Sequence, residues 1–299
     1  MTMKKILCLS GGGVRGIAQL EVLKMLERKC GRPLHEEYDL IIGTSVGAIN
    51  AAIIASGKIS MEELSKLYES MIHEIFKKNR WLKIPKYDRS NFAKNWEKLA
   101  GNIKFGDVKT KLMITTVDLV TDRNIFYKSW HKSDQDEALL NLVLRSFAAP
   151  VYFGQIVDKV KQRVYSDGGV GNANLPLNEA KLQAEAYGWY SNGEEVEIHA
   201  VGTLFSDTVH TFEQISKGCW FKQVSDFINP SEGGLARAQS RLDQLRMMEY
   251  ICSKIPEIKF KYWDGPAKEE KLKLDGVEFM TYYRALGTLM AQEPLISYN

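Results

Sequence analysis

Ser45 lies in Gly43-Thr44-Ser45-Val46-Gly47, a G-x-S-x-G pattern. A serine between two glycines does chemistry when it sits on a turn so sharp that its hydroxyl stands clear of the backbone. A side chain at either glycine would crowd such a turn. Upstream, Ser10-Gly11-Gly12-Gly13-Val14-Arg15-Gly16 places glycines where backbone N–H groups are left bare and convergent, a site for a developing anion. Next to a nucleophilic serine that is an oxyanion hole. Arg15 adds a positive charge, or locks the loop by bonding to carbonyls. Asp167-Gly168-Gly169 is a further stretch, by itself readable as a plain Asp-Gly turn.

These residues need particular elements around them. Leu40-Ile41-Ile42 reads as a short buried strand and Ala48 to Ala55 as a buried helix, so Ser45 falls on a strand–turn–helix, the context of a nucleophile elbow. Lys5 to Leu9 reads as the first strand. A helix follows the glycine loop to about Cys30, with Ile17, Leu20, Leu23 and Leu26 on one face. Gly11, Gly13 and Gly16 also match the dinucleotide fingerprint G-x-G-x-x-G. That reading needs an acidic residue closing the second strand. Here the strand closes in Gly43-Thr44-Ser45, while Glu36, Glu37 and Asp39 lie at its other end, which disfavours a Rossmann-type protein.

Further along, the pattern predicts helices over 61–78, 92–99, 134–148 and 176–187. It predicts strands over 111–117, 124–128, in the span 155–165, and over 196–201, the last clear core strand. Residues 33–38 read as a connection. Leu235, Ala238, Leu242, Leu245, Met248 and Cys252 recur at helical spacing, Ile258 to Trp263 reads as an edge strand, and a last helix covers roughly 277–290. The basic stretch 77–87 reads as a solvated linker, with a lid or interfacial contact as the alternative.

The 299 residues suffice for one large α/β domain or one with a helical appendage. With 40 basic against 37 acidic residues the net charge is +3, too small to argue for nucleic acid. Cys8, Cys30, Cys219 and Cys252 form no C-x-x-C pair and read as free thiols of a reducing compartment. No metal-ligand cluster, calcium loop or other cofactor signature is visible, and no apolar run is long enough to span a bilayer. The expectation is a cytoplasmic protein, at most peripheral at a membrane.

In order and spacing, Gly11 to Gly16, Gly43 to Gly47 and Asp167 to Gly169 resemble the patatin-like phospholipases, which are lipid acyl hydrolases. Ser146-Phe147-Ala148-Ala149-Pro150 and Asn174-Leu175-Pro176 are similar to further stretches of that family. Ser10, where many members have Asp, and Ala173, where the family often has Asn, depart from it. The resemblance covers residues 4–205. It implies a three-layer α/β/α fold with a mostly parallel central sheet. Residues 206–299 lie outside it and read as a helical C-terminal extension, which leaves open a cap, a homo-oligomer contact, a site for an activating signal, or completion of the core.

The resemblance also implies a dyad without histidine, Ser45 as nucleophile and Asp167 as base. His35, His73, His131, His199 and His210 sit in no motif, and His199 reads as a satisfied core histidine. An aspartate of ordinary pKa, about 3.9, is a feeble base, and an apolar surround from Phe147, Tyr152 and Phe153 would raise it. The oxyanion would rest on amides of the loop Gly11, Gly12, Gly13, Arg15 and Gly16. Gly43, Gly47, Gly168 and Gly169 would shape the elbow and the aspartate turn. The expected reaction is hydrolysis of fatty-acyl esters of membrane phospholipids, with acyltransfer or thioester cleavage as alternatives on the same residues.

Overall fold

In the computed structural model, which describes residues 3–77, 85–191, 193–206 and 235–298, the chain builds around one nine-stranded sheet. Its centre is five parallel strands in the order β9 (Ile258–Trp263), β7 (Val196–Val201), β1 (Lys4–Leu9), β2 (Leu40–Thr44) and β3 (Lys111–Asp118). Antiparallel strands flank it. β11 (Ile296–Tyr298) lies on β9, β4 (Arg123–Lys128) and β6 (Arg163–Asp167) on β3, and β5 (Ile156–Asp158) on β6. A separate pair joins β8 (Phe205–Ser206) to β10 (Pro266–Ala267).

The strands read as continuous apolar runs because both faces are covered, as a parallel sheet requires. Successive side chains divide between two cores. Leu7, Leu9, Ile41, Leu112 and Ile114 point into one, and Ile6, Cys8, Leu40, Ile42 and Met113 into the other. The first core is closed by α1 (Gly16–Cys30), α3 (Val46–Ser56), α4 (Met61–Ile75), α5 (Ser90–Leu99), α6 (Leu139–Ser146) and α9 (Met280–Met290). The second is closed by α7 (Leu177–Ala186) and α8 (Leu235–Lys254). This is the expected three-layer α/β/α arrangement.

Local sequence explains several helix ends. α4 starts at a reciprocal Ser60–Glu63 capping box, and α1 and α3 stop at Gly31 and Gly57 in the left-handed conformation. All eleven residues of α3 are buried, and small side chains let it lie directly on the sheet. α9 packs on α1 closely enough that a Cβ on Gly287 would come 2.5 Å from the Ala18 carbonyl oxygen.

Four expectations change. The stretch Ile258–Trp263 is interior to the sheet, between β7 and β11. Its alternating lysines are compatible with an interior place because Lys261 Nζ reaches Glu197 Oε1 of β7 at 2.5 Å and Lys259 Nζ reaches Glu195 Oε1, just before β7, at 2.9 Å. Val196–Val201 is therefore not the last core strand, and residues 206–299 contribute strands to the sheet as well as α8 and α9. The helix expected over 134–148 begins at Leu139, because Phe105 N–H donates to the Glu137 carbonyl and Lys104 bridges Ala138 in strand fashion. The connection 33–38 contains a short helix, α2 (Leu34–Glu37). Most of the basic stretch 77–87, from 78 to 84, and the first part of the C-terminal region, 207–234, lie outside the described residues.

Candidate active site

The strand β3 makes the encounter. Thr115 pairs with Thr44 of β2 on one edge and with Phe126 of β4 on the other. One residue on, Thr116 pairs with Asp167 of β6 and again with β4. β2 and β6 therefore share one edge of β3, running toward each other and meeting end to end. Ser45 leaves the last residue of β2 where Asp167 closes β6. Hydroxyls lace the junction. Thr44 Oγ1 donates to the Ala173 carbonyl at 2.6 Å and lies 2.7 Å from Thr115 Oγ1.

Ser45 has φ 55° and ψ −122°, a conformation non-glycine residues rarely adopt. The turn is as tight as the two glycines imply. A Cβ on Gly43 would lie 2.4 Å from the Gly47 carbonyl oxygen, and one on Gly47 would lie 2.3 Å from the Leu9 carbonyl oxygen. Ser45 N–H donates to Ser146 Oγ at 2.9 Å, and Ser45 Oγ donates to Asp167 Oδ2 at 2.6 Å. Asp167 is 4% exposed, and its Oδ1 accepts from Gly169 N–H at 2.7 Å. Gly168 lets this turn approach β3, since a Cβ there would meet Thr115 Oγ1 at 2.3 Å.

The glycine loop completes the group. Gly11 lies against the serine, where an added Cβ would be 3.0 Å from Ser45 Cβ. Most amides of this loop are occupied. Gly11 N–H donates to the Asn174 carbonyl, Val14 N–H to the Leu274 carbonyl, Arg15 N–H to the Gly12 carbonyl, and Gly16 N–H to the Gly13 and Val14 carbonyls. The amides of Gly12 and Gly13 donate to no described residue, and both glycines line the same cleft as Ser45 and Asp167. The broader set expected from the sequence therefore narrows. Gly11 and Gly16 shape the loop. Arg15, buried at 3% exposure, donates from Nε to the Gly12 carbonyl at 3.1 Å, the loop-locking arrangement.

The cleft is small, about 30 Å³, and apart from the loop and the Ser45–Asp167 pair its lining is apolar: Phe76, Phe147, Ala149, Pro150, Tyr152, Phe153, Val170 and Leu274. Phe147 and Phe153 meet edge to face at 5.1 Å between centroids, and Phe153 meets Phe76 at 5.6 Å. No described histidine lines it. His199 is buried elsewhere, its Nδ1 2.7 Å from Tyr38 Oη, and His131 is exposed beside Ser133. Among the described residues no group of His, Cys, Asp or Glu is arranged to hold a metal, and no helix is long and apolar enough to cross a membrane.

Residues 7–181 match the family described as patatin-like phospholipase. The chain belongs to that family. Among curated relatives, a "cGAMP-activated phospholipase" of Escherichia coli (strain TW11681) is 31% identical over 72% of this chain and 66% of its own length. One of the same description from Pseudomonas aeruginosa (strain BWHPSA011 / Pa011) is 33% identical over 56% of this chain and 53% of its own. The alignments thus span between half and two thirds of these relatives. The crystal structure of VipD from Legionella pneumophila has a TM-score of 0.45 at 13% identity, covering 95% of this chain and 67% of that one. In this patatin-like chain the sequence pointed to Ser45, Asp167 and the glycines, and the fold brings them together. It missed Ser146, Thr203 and Leu274. Thr203 Oγ1 donates to the Gly11 carbonyl at 2.7 Å. Ser146 was visible only as part of a family-like stretch, and Leu274 carried no signal at all.

Proposed function

We propose that this patatin-like chain is a serine acyl hydrolase of the phospholipase A type, acting through Ser45 and Asp167. The observation that carries the reading is the 2.6 Å hydrogen bond from Ser45 Oγ to Asp167 Oδ2 in an apolar cleft also lined by Gly12 and Gly13, whose amides donate to no described residue. A serine hydroxyl attacks only when a neighbour takes its proton. As Oγ bonds to the ester carbonyl carbon, the proton passes to Asp167 Oδ2. The Gly12 and Gly13 amides serve as donors to the oxygen that becomes negative, each such donor contributing about 3 kcal/mol to the transition state. Asp167 then returns the proton to the departing alcohol, leaving an acyl-serine. Water repeats the sequence in reverse and releases the fatty acid. An alcohol or thiol in place of water, or a thioester in place of the ester, would make the same site an acyltransferase or a thioesterase.

The apolar lining suits an acyl chain. A cleft of about 30 Å³ holds a water molecule or two, whereas sites for ligands of lipid size run to several hundred Å³. Admitting a lipid chain therefore requires the cleft to widen, the natural role of an activating signal. The names of the relatives suggest that a cyclic nucleotide supplies such a signal here too, and we include nucleotide-activated lipid cleavage in the reading.

Release of fatty acid from a panel of phospholipids, with and without cyclic dinucleotides, tests it. Ser45→Ala should lower turnover at least about a thousandfold. Asp167→Asn should lower it about 100- to 10,000-fold, the usual share of a general base. Undiminished release by either folded variant would end the dyad proposal.

A further inference from the structure

The rim around the cleft is unusual in what it exposes. Because β6 runs antiparallel to β3 with Asp167 opposite Thr116, the β5–β6 turn projects past the carboxyl end of the sheet on the side of the cleft. Arg163 stands four residues before Asp167, about 13 Å along an extended strand. At the tip lies Val160, 94% exposed, between Lys159 and Lys161. The neighbouring β3–β4 turn, tied to it by Leu119 N–H on the Val164 carbonyl at 2.8 Å, exposes Val120 at 58%. Nearer the mouth, Val170 and Val151 are 44% and 46% exposed. Val151 has φ 67°, a backbone state that costs a β-branched residue dearly and that persists only where its surroundings hold it. Its carbonyl is held by Lys86 N–H at 2.8 Å.

The charges at the tip favour an anionic partner. The segment 158–163 carries Lys159, Lys161 and Arg163 against one carboxylate, Asp158, which Arg145 engages at 3.3 Å. Arg163 pairs with Asp118 and Lys161 with Glu137, while Lys159 makes no ion pair among the described residues. Asp122 is the exposed carboxylate of the adjoining turn, beside the exposed Arg123.

We propose that the β3–β4 and β5–β6 tips, with Val151 and Val170 at the mouth, are the surface on which the protein docks to an anionic lipid bilayer. The inference rests on the lipid-ester reading and names the face that meets the lipid. Two convex tips, each ending in one valine, offer too little area for a stable protein interface, which needs about 800 Å² on each side. They suit a headgroup layer, where an apolar tip sinks in and flanking lysines meet phosphate. That layer is about 5–8 Å deep per leaflet. With Val160 sunk to the depth of the lipid esters, Asp167 would stand about 13 Å or more above them, near the outer surface of the headgroup layer.

The test is co-sedimentation of the full chain with vesicles of phosphatidylcholine alone and of phosphatidylcholine with phosphatidylglycerol, alongside turnover of a short, soluble ester. The wild-type protein should prefer the anionic vesicles, and Ser45→Ala should bind them equally well. Lys159→Ala should weaken binding about fivefold and Val160→Asp about tenfold or more, with vesicle hydrolysis falling in step and soluble-ester turnover unchanged. Vesicle binding unaffected by Val160→Asp would overturn the proposal. So would a Val160→Asp change that converts a dimer to a monomer and leaves vesicle binding intact, which would make the surface a contact between copies. A wild-type protein that binds anionic vesicles through the tip yet cleaves no ester would sink the hydrolase reading and leave the docking surface standing.

Discussion

Ser146→Ala isolates a contact on which the elbow depends. Ser146 is fully buried and accepts the Ser45 N–H at 2.9 Å. Removing its oxygen leaves a part-buried amide without a partner, a cost of about 1–3 kcal/mol. The loss falls on a residue whose φ of 55° is already unfavourable by about the same amount. Two consequences should be separable. Thermal unfolding should drop by about 2–4 °C for each kcal/mol in a chain of this size. Turnover of a soluble ester should fall about tenfold, since 1.4 kcal/mol against the productive elbow lowers its population by that factor. KM should stay near its wild-type value, because Ser146 is not among the residues lining the cleft. The assay is steady-state hydrolysis of a soluble ester beside a melting curve. A melting point that falls with unchanged kcat would show that the hydroxyl only stabilises, and the positioning argument would be wrong.

Two further predictions concern the elbow and the acid limb of stability. Gly47→Ala forces a Cβ to 2.3 Å from the Leu9 carbonyl oxygen, so α3 must move about 1 Å from β1; displacement on that scale should cost about a hundredfold in kcat/KM, and a folded variant of normal activity would contradict the steric account. Burial pushes the Glu137 carboxyl up, but the Asn141 amide and the charges of Lys161 and Arg145 outweigh it and bring it down to about 2. The stability it contributes is present above its unfolded value of 4.5 and is lost as pH falls from there toward 2. Glu137→Gln should flatten that part of the melting-point curve, and an unchanged slope would count against the Arg145–Glu137–Lys161 network.

What was legible in the sequence was what short-range sterics dictate. Gly43 and Gly47 are where they are because any Cβ would strike the backbone of the turn or of β1, and such constraints show as glycine spacing. Apolar runs disclosed β1, β2 and β7 for the same reason, since both faces of each strand are buried. The misses depend on distant partners. Lys259 and Lys261 look like edge residues until Glu195 and Glu197 are seen to pair with them. Leu274 closes the glycine loop through its carbonyl, a group every residue carries, so its identity advertises nothing. Glycine content marks a loop whose amides can be bare. Which of them are bare is decided by carbonyls of the loop itself, which take the Arg15 and Gly16 amides, and by those of Asn174 and Leu274, more than 150 residues away in the chain.

The dyad itself is most directly tested by labelling the purified protein with a fluorophosphonate and mapping the modified peptide. The account predicts one adduct, on Ser45, absent from Ser45→Ala and formed far more slowly in Asp167→Asn. An adduct on another serine, or a rate indifferent to the loss of the Asp167 carboxylate, would contradict it.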